Sequence, residues 1–152
     1  MKLVEIIAAG KIKKTPYEDL FSVYQKRMHW PCNVHEIESR HTQGSKIRED
    51  EWARLSEKIN PSAYLVVLDE KGKSMKSADF AALFGNLQTE GRNHIQFILG
   101  GADGLSDEMR GRADLLLSFG VQTWPHMLAR IMLLEQIYRA QQILAGHPYH
   151  RD

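Results

Sequence analysis

The sequence predicts a single α/β domain in which a parallel sheet is covered by helices on both faces. Short apolar runs such as 63–68 (AYLVVL) alternate with amphipathic stretches of helical period. The 152 residues suit one domain, and no internal repeat or low-complexity linker divides them. The hydrophobic share of 43% and charged share of 26% are those of an ordinary globular protein. We therefore treat residues 1–152 as one domain.

The predicted strands are short apolar runs, several of them bounded by glycine or polar residues. In chain order they span residues 3–8, 34–37, 63–68, 95–99 and 115–119. The run at 63–68 is almost entirely apolar, which is typical of a strand that is buried on both faces. The polar residues that follow it, 69–72 (DEKG), are expected to turn the chain.

The predicted helices cover residues 17–28, 48–59, 77–90, a short segment after Ser106, and 125–144. The first three carry apolar residues three and four positions apart, which is the spacing of one buried face. These stripes are Leu20, Phe21 and Tyr24, then Trp52, Leu55 and Ile59, then Phe80, Leu83, Phe84 and Leu87. We expect Ser77 and Ser106 to cap their helices, and Pro125 fits the first turn of the last helix.

The last predicted helix is apolar on more than one side. Its apolar residues are Met127, Leu128, Ile131, Met132, Leu133, Leu134, Ile137, Tyr138, Ile143 and Leu144. They are too many for one stripe about 100° wide, so the helix needs two packing partners. We expect the sheet to cover one side and a second copy of the chain to cover the other, which gives a homodimer. The alternative is a helix that is buried wholly inside one protomer.

Composition narrows the class of protein. No apolar run approaches the ~20 residues that a membrane span requires. Glu5 interrupts the first apolar run, so we expect a strand there rather than a signal peptide. A single cysteine, Cys32, excludes an internal disulfide and a multi-cysteine metal site, and fits a reducing cytoplasm. The net charge of +1 is not strongly basic, so any RNA contact would come from local clusters or from charges pooled in an oligomer.

Three loops are candidates for one ligand site. Residues 100–104 (GGADG) follow the fourth predicted strand, and glycines there allow close approach of a ligand to the backbone. The segment is neither a phosphate-binding P-loop nor a dinucleotide fingerprint, and a plain tight turn is the alternative. Leu68 with the turn to Gly72, and the loop 119–124 (FGVQTW), are the other two candidates, because each stands at the end of a predicted strand and ligands bind beyond the carboxyl ends of parallel strands. Backbone N–H and C=O groups of such loops suit adenine.

The segment 147–151 (HPYHR) concentrates residues that carry chemistry. Its histidines could exchange protons, Tyr149 could stack on a base, and Arg151 could bind phosphate. A disordered or tag-like end is the alternative. Zinc bound by His126, His147 and His150 has little support, because no cysteine or carboxylate stands at ligand spacing, and we expect no metal.

The last helix adds two further candidates. His126 begins it beside the 119–124 loop, and Arg130 lies one turn further on the same face. Glu135 and Arg139 are predicted to form a structural ion pair. A local positive surface could include Lys11, Lys13, Lys14, Arg40, Lys46, Arg48, Arg130, Arg139 and Arg151. For each of these alone, a solvated surface position is the alternative.

Taken in order, four motifs resemble one family. They are strand-Gly-Gly-x-x-Gly at 100–104, Pro-His-x-x-x-Arg at 125–130, Glu-x-x-Tyr-Arg-Ala at 135–140, and His-Pro-Tyr-His-Arg at 147–151. The chain resembles the large-subunit ribosomal RNA pseudouridine N3-methyltransferases of the SPOUT class. The resemblance covers essentially the whole chain, and it implies a C-terminal trefoil knot, a homodimer, S-adenosylmethionine (AdoMet) as methyl donor, and no metal.

The resemblance also implies residue roles. AdoMet contacts fall on Leu68, Gly100, Phe119, Gly120, Val121, Gln122, Thr123 and Trp124. Substrate-side residues are His126, Arg130, Tyr149, His150 and Arg151. The implied acceptor is N3 of a pseudouridine in a stem-loop of 23S rRNA in the assembled ribosome. His126 or His150 would assist loss of the N3 proton, and the arginines would fix phosphates or steady charge on the uracil oxygens. A non-catalytic ribosome-binding module and a SPOUT enzyme acting on tRNA are the alternatives.

Overall fold

A computed structural model describes residues 2–39, 44–101 and 104–151. Strands and helices alternate along the chain. The strands are β1 (Leu3–Ala9), β2 (Cys32–Ile37), β3 (Tyr64–Ser74), β4 (His94–Leu99) and β5 (Leu115–Ser118). The helices are α1 (Tyr17–Arg27), α2 (Gly44–Ser56), α3 (Ser77–Thr89), α4 (Asp107–Arg112) and α5 (His126–Leu144). The predicted alternation is therefore confirmed, with most boundaries shifted by a few residues.

The five strands form one parallel sheet in the order β2-β1-β4-β3-β5. Alternate residues of each strand point to opposite faces and build two apolar clusters. On one face Ile6 and Phe97 pack with α1, α3 and α5, including Phe84 and Leu134. On the other face Ile7 packs with α2 and α4. Helices on both faces confirm the predicted layers and leave the carboxyl ends of the strands open for a site.

The predicted turn at 69–72 is wrong. β3 continues to Ser74, and its register against β5 shifts because Leu68 and Lys73 both pair with Leu117. The intervening residues bulge from the ladder, and Asp69 Oδ1 accepts a hydrogen bond from Lys71 N at 2.8 Å. Gly72 permits this path, because a Cβ atom there would lie 2.7 Å from the carbonyl carbon of Leu116. Gly72, which suggested a turn in the sequence, is therefore needed where β3 and β5 approach each other closely.

Three details of the helices also differ from the prediction. Ser77 is the first residue of α3 rather than its cap, and its hydroxyl donates to Gln136 Oε1 at 2.8 Å. Leu20 lies on the exposed side of α1, although Phe21 is buried as expected. Ile59 packs against the core from beyond the end of α2. Ser106 does cap α4, since its hydroxyl accepts the Met109 N–H at 3.3 Å.

Helix α5 packs between α1 and α3 within one protomer. Ile131, Leu133, Leu134 and Ile137 are buried there, so most of its surplus apolar surface is covered without a second chain. The apolar residues of α5 therefore do not require a second chain to cover them. The homodimer stays a prediction. The knot stays a prediction as well, since strand order and pairing alone do not test it. Among the described residues, no helix is long and apolar enough to cross a membrane.

Candidate active site

A cavity of about 700 Å³ lies at the carboxyl ends of β4 and β5, beside the bulged part of β3. The three predicted ligand loops meet there, as expected for an open parallel sheet. Its apolar lining is formed by Leu68, Leu99, Leu105, Leu117, Phe119, Trp124, Pro125 and Ala129. The remaining lining residues are Asp69, Glu70, Gly100, Gly101, Gly104, Arg110, Gly120, Gln122, Thr123 and His126. An apolar cavity with a few polar groups is typical of a small-molecule site.

Hydrogen bonds fix the loop 119–124 at the mouth of the cavity. The buried hydroxyl of Ser118 donates to Gly120 O at 2.8 Å and accepts from Gly120 N at 3.0 Å. Gly120 has a φ of +108°, a conformation that favours glycine. The indole Nε1 of Trp124 closes the loop by donating to Phe119 O at 3.2 Å. These hydrogen bonds define the shape of the loop.

The glycine segment after β4 forms the opposite wall. A Cβ atom on Gly100 would lie 2.5 Å from Cδ2 of Leu105 and 3.0 Å from Gly104 O. A side chain at Gly100 would therefore push Leu105 toward the cavity. Ala102 and Asp103, which belong to the predicted 100–104 segment, lie outside the described residues.

Three charged residues to which the sequence analysis gave no individual role line the cavity. Asp69 and Glu70 follow Leu68, and Arg110 reaches the cavity from α4. Arg110 Nε donates to Asp69 Oδ2 at 2.6 Å. Asp69 and Glu70 belong to the candidate segment 68–72, whereas no local pattern distinguishes Arg110 from other surface arginines.

His126 lies at the edge of the cavity, as its position at the start of α5 predicted. Its Nε2 atom would lie 3.4 Å from a Cβ on Gly10, so the ring rests against the end of β1. Burial, and then the charge of nearby Arg130, lower the pKa of His126 below its usual value of 6.5. The imidazole is therefore neutral at neutral pH and can accept a proton.

Arg130 lies beneath this edge rather than in the cavity. Its side chain is 1% exposed, and its Nη1 donates to Glu36 Oε2 at 2.5 Å. Its Nη2 donates to Ala9 O at 3.2 Å and to Gly10 O at 3.0 Å. In this position Arg130 joins β1, β2 and α5, and the predicted contact with an RNA phosphate stays a prediction. Its position indicates a role in placing the segment around Gly10 and His126.

The segment 147–151 packs on α5 of the same protomer. Tyr149 Oη donates to Glu135 Oε1 at 3.0 Å and its ring meets Tyr138 edge-on at 4.8 Å. Burial and the bond to Glu135 raise the pKa of Tyr149 to about 12. Arg139 Nη1 donates to His150 Nδ1 at 3.1 Å. The segment is therefore ordered, and none of its residues lines the cavity of its own chain.

The predicted ion pair between Glu135 and Arg139 is confirmed at 2.6 Å. The local positive surface that the other basic residues could form stays a prediction. Exposed positions are Lys11, Lys13, Lys14, Lys46, Arg48 and Arg151, whereas Arg40 lies outside the described residues. In the part of the chain that the structure describes, no group of three or more His, Cys, Asp or Glu side chains could hold a metal ion.

The structure thus brings most of the predicted cofactor residues together. Leu68, Gly100, Phe119, Gly120 and His126 line one cavity with Gln122, Thr123 and Trp124. Val121 belongs to the same loop, but its side chain is 93% exposed and points away from the cavity.

Comparisons with known proteins agree with this architecture. The family described as "Predicted SPOUT methyltransferase" matches residues 1–150. A "Ribosomal RNA large subunit methyltransferase H" of Rhodospirillum centenum is 49% identical over 96% of this chain and 97% of its own length. The protein of the same name from Zymomonas mobilis is 44% identical over 98% of both chains. A probable methylase family protein from Haemophilus influenzae shares the fold, with a TM-score of 0.60 over 99% of this chain and 71% of that one, at 8% identity. The chain belongs to the SPOUT methyltransferase family.

Proposed function

We propose that this protein is an AdoMet-dependent methyltransferase that methylates N3 of a pseudouridine in a stem-loop of 23S rRNA. The observation that carries the proposal is one cavity lined by the ends of β4 and β5 and the bulge of β3, in a chain whose relatives are named for methylation of large-subunit ribosomal RNA. We place the reaction in the cytoplasm, on the assembled ribosome. A substrate of that size can supply complementary surfaces of its own, which fits the low net charge.

The residues around the cavity fit AdoMet. Apolar side chains such as Leu68 and Leu117 can cover the adenosine, and backbone groups of the loop 119–124 can meet the adenine edge. Asp69 and Glu70 add negative charge to the cavity wall, which suits the sulfonium and ammonium groups of the donor. AdoMet supplies an electrophilic methyl group, so the protein's main task is to hold the acceptor nitrogen in line with it.

Removal of the N3 proton requires a base, and we assign that role to His126. Its lowered pKa keeps the imidazole neutral, and the ring lies at the cavity edge. His150 is the weaker candidate. Arginine has only donors, so the bond from Arg139 makes His150 Nδ1 an acceptor, and a neutral ring then already carries its proton on Nε2.

A homodimer would bring the segment 147–151 to the active site. The segment does not line the cavity of its own chain, so a second chain must supply it if Tyr149 is to stack on a base and Arg151 is to bind phosphate. The exposed face of α1 supports such an assembly, because Leu20 and Val23 are each 44% exposed there.

A shared active site predicts complementation between two inactive variants. When a variant altered in the cavity is mixed with a variant altered in the segment 147–151, we expect partial methyltransferase activity to return.

The test of the proposed function is methyl transfer from labelled AdoMet to whole ribosomes, free subunits and tRNA in parallel. We expect label in 23S rRNA from ribosomes or large subunits. Label in tRNA alone would favour the tRNA-directed alternative. Absence of AdoMet binding by calorimetry would favour the non-catalytic module.

The role of His126 predicts a pH dependence. Below its lowered pKa His126 is protonated and cannot accept the N3 proton, so the single-turnover rate should fall as the pH drops through that value, below 6.5. We expect His126→Ala to lower the rate on the order of 10²-fold and to remove this acidic limb. In His150→Ala the single-turnover rate should still fall at acidic pH. Full rates in both variants would contradict proton transfer by either histidine.

A further inference from the structure

Arg110 is the one arginine or lysine among the described residues that line the cavity. It projects from α4 toward the bulged part of β3, where Asp69 and Glu70 lie. The charged groups of the cavity wall are therefore the carboxylates of Asp69 and Glu70 and the guanidinium of Arg110. The rest of the wall is apolar or uncharged. Such a mixture is unusual for a site that recognises a nucleoside alone, and it calls for a ligand that carries both signs of charge.

Two acidic side chains hold the Arg110 guanidinium in place. Its Nε donates to Asp69 Oδ2 at 2.6 Å, and its Nη1 donates to Asp107 Oδ1 at 2.8 Å. The Asp69 side chain is only 4% exposed, whereas that of Asp107 is fully exposed, so Asp69 is the firmer support. Within the described chain Nη2 donates to no acceptor. The guanidinium of Arg110 therefore has N–H groups left to donate to a further anion. Arginine binds carboxylates by donating hydrogen bonds from such N–H groups.

We propose that Arg110 binds the α-carboxylate of AdoMet and that Asp69 acts as the positioning residue that holds it. This inference rests on the proposed function. AdoMet carries a sulfonium, an ammonium and a carboxylate, which match the two acids and one arginine of the cavity. The apolar residues and the loop 119–124 remain for the adenosine end. Neither helix α4 nor its arginine was expected at the site from the sequence.

The test compares AdoMet with decarboxylated AdoMet, which keeps the sulfonium and the amine but lacks the carboxylate. Calorimetry on Arg110→Gln should show AdoMet affinity lowered on the order of tenfold to a hundredfold, because a charge-assisted contact is lost. Affinity for decarboxylated AdoMet should stay the same or rise, since the freed Asp69 attracts its positive groups. Arg110→Lys should recover part of the AdoMet affinity. Arg112→Gln, on the same helix but outside the cavity wall, is the matched control and should resemble the wild type.

A double variant separates direct contact from altered charge. Arg110→Gln with Asp69→Asn removes the unpaired acid, and we expect the preference for AdoMet over its decarboxylated form to remain lost. Melting temperatures of all variants should confirm that they are folded. Equal weakening of both ligands, or AdoMet binding unchanged in Arg110→Gln, would overturn the assignment. If the wild type bound neither ligand, the proposed function itself would fail and the assignment with it.

Discussion

Glu36→Gln is expected to lower the free energy of unfolding by about 3 kcal/mol, because it leaves the buried Arg130 cation without its anion. Arg130 is 1% exposed, and Glu36 Oε2 accepts both its Nη1 at 2.5 Å and the backbone N–H of Ile12 at 2.7 Å. Arg130 Nε has no hydrogen-bond partner among the residues that the structure describes, so no other described group compensates there. Urea denaturation followed by circular dichroism measures the effect.

A surface pair supplies the control for this prediction. Arg54 pairs with Asp50 at 3.0 Å on α2 and is 31% exposed, so Arg54→Gln should lower stability by no more than about 0.5 kcal/mol. Combining Glu36→Gln with Arg130→Met should recover part of the loss, because the unpaired charge is then removed. A Glu36→Gln protein as stable as Arg54→Gln would show that the Arg130 charge is not buried in the folded protein.

The consequence for catalysis concerns the segment that follows β1. Arg130 Nη2 holds Ala9 O and Gly10 O, and His126 rests against Gly10. Loss of the Glu36 charge should therefore disturb the placement of His126 as well as the fold. We assigned to His126 the fall of the single-turnover rate at acidic pH. In any Glu36→Gln protein that remains folded, we expect this fall to occur at a different pH.

The layered fold could be predicted from the sequence because its signals are local. Runs such as 63–68 and the stripe from Phe80 to Leu87 carry their own period, and every predicted strand appears in the sheet. The convergence of Gly100 and the loop 119–124 followed from one rule, that parallel strands end on the same edge, and Leu68 joins them from the bulge within β3.

The errors arose where a residue's role depends on distant partners. The segment 69–72 has the composition of a turn, yet β5 pairs with residues on both sides of it and draws it into the sheet. Arg130 has the spacing of an exposed helix position, yet β2 supplies Glu36 from 94 residues away. The position of the Arg110 side chain likewise depends on its hydrogen bond to Asp69. None of these pairings leaves a periodic mark on the sequence.

Gly72→Ala is expected to lower the free energy of unfolding by about 2–3 kcal/mol and to weaken AdoMet binding at least about tenfold. A Cβ atom at this position would lie 2.7 Å from the Leu116 carbonyl carbon and 2.8 Å from both Leu116 O and the Leu117 carbonyl carbon. All three atoms belong to the backbone of β5, so no side-chain rotation can relieve the contact. The two strands must separate, and β5 pairs with no strand other than β3 in the described sheet.

The loss should extend to the cavity because β5 leads directly into the loop 119–124, and the Ser118 hydroxyl that bonds to Gly120 of that loop lies 3.3 Å from Glu70 O of β3. Hydrogen exchange should show faster opening of the amides in 115–118 than in β4, which has partners on both sides. Gly111→Ala is the matched control: nothing lies within 4 Å of its added Cβ in α4, so stability should hold or rise by about 0.5–1 kcal/mol. If Gly72→Ala matched this control in stability and in AdoMet affinity, the close contact between β3 and β5 would not exist, and the cavity would not depend on it.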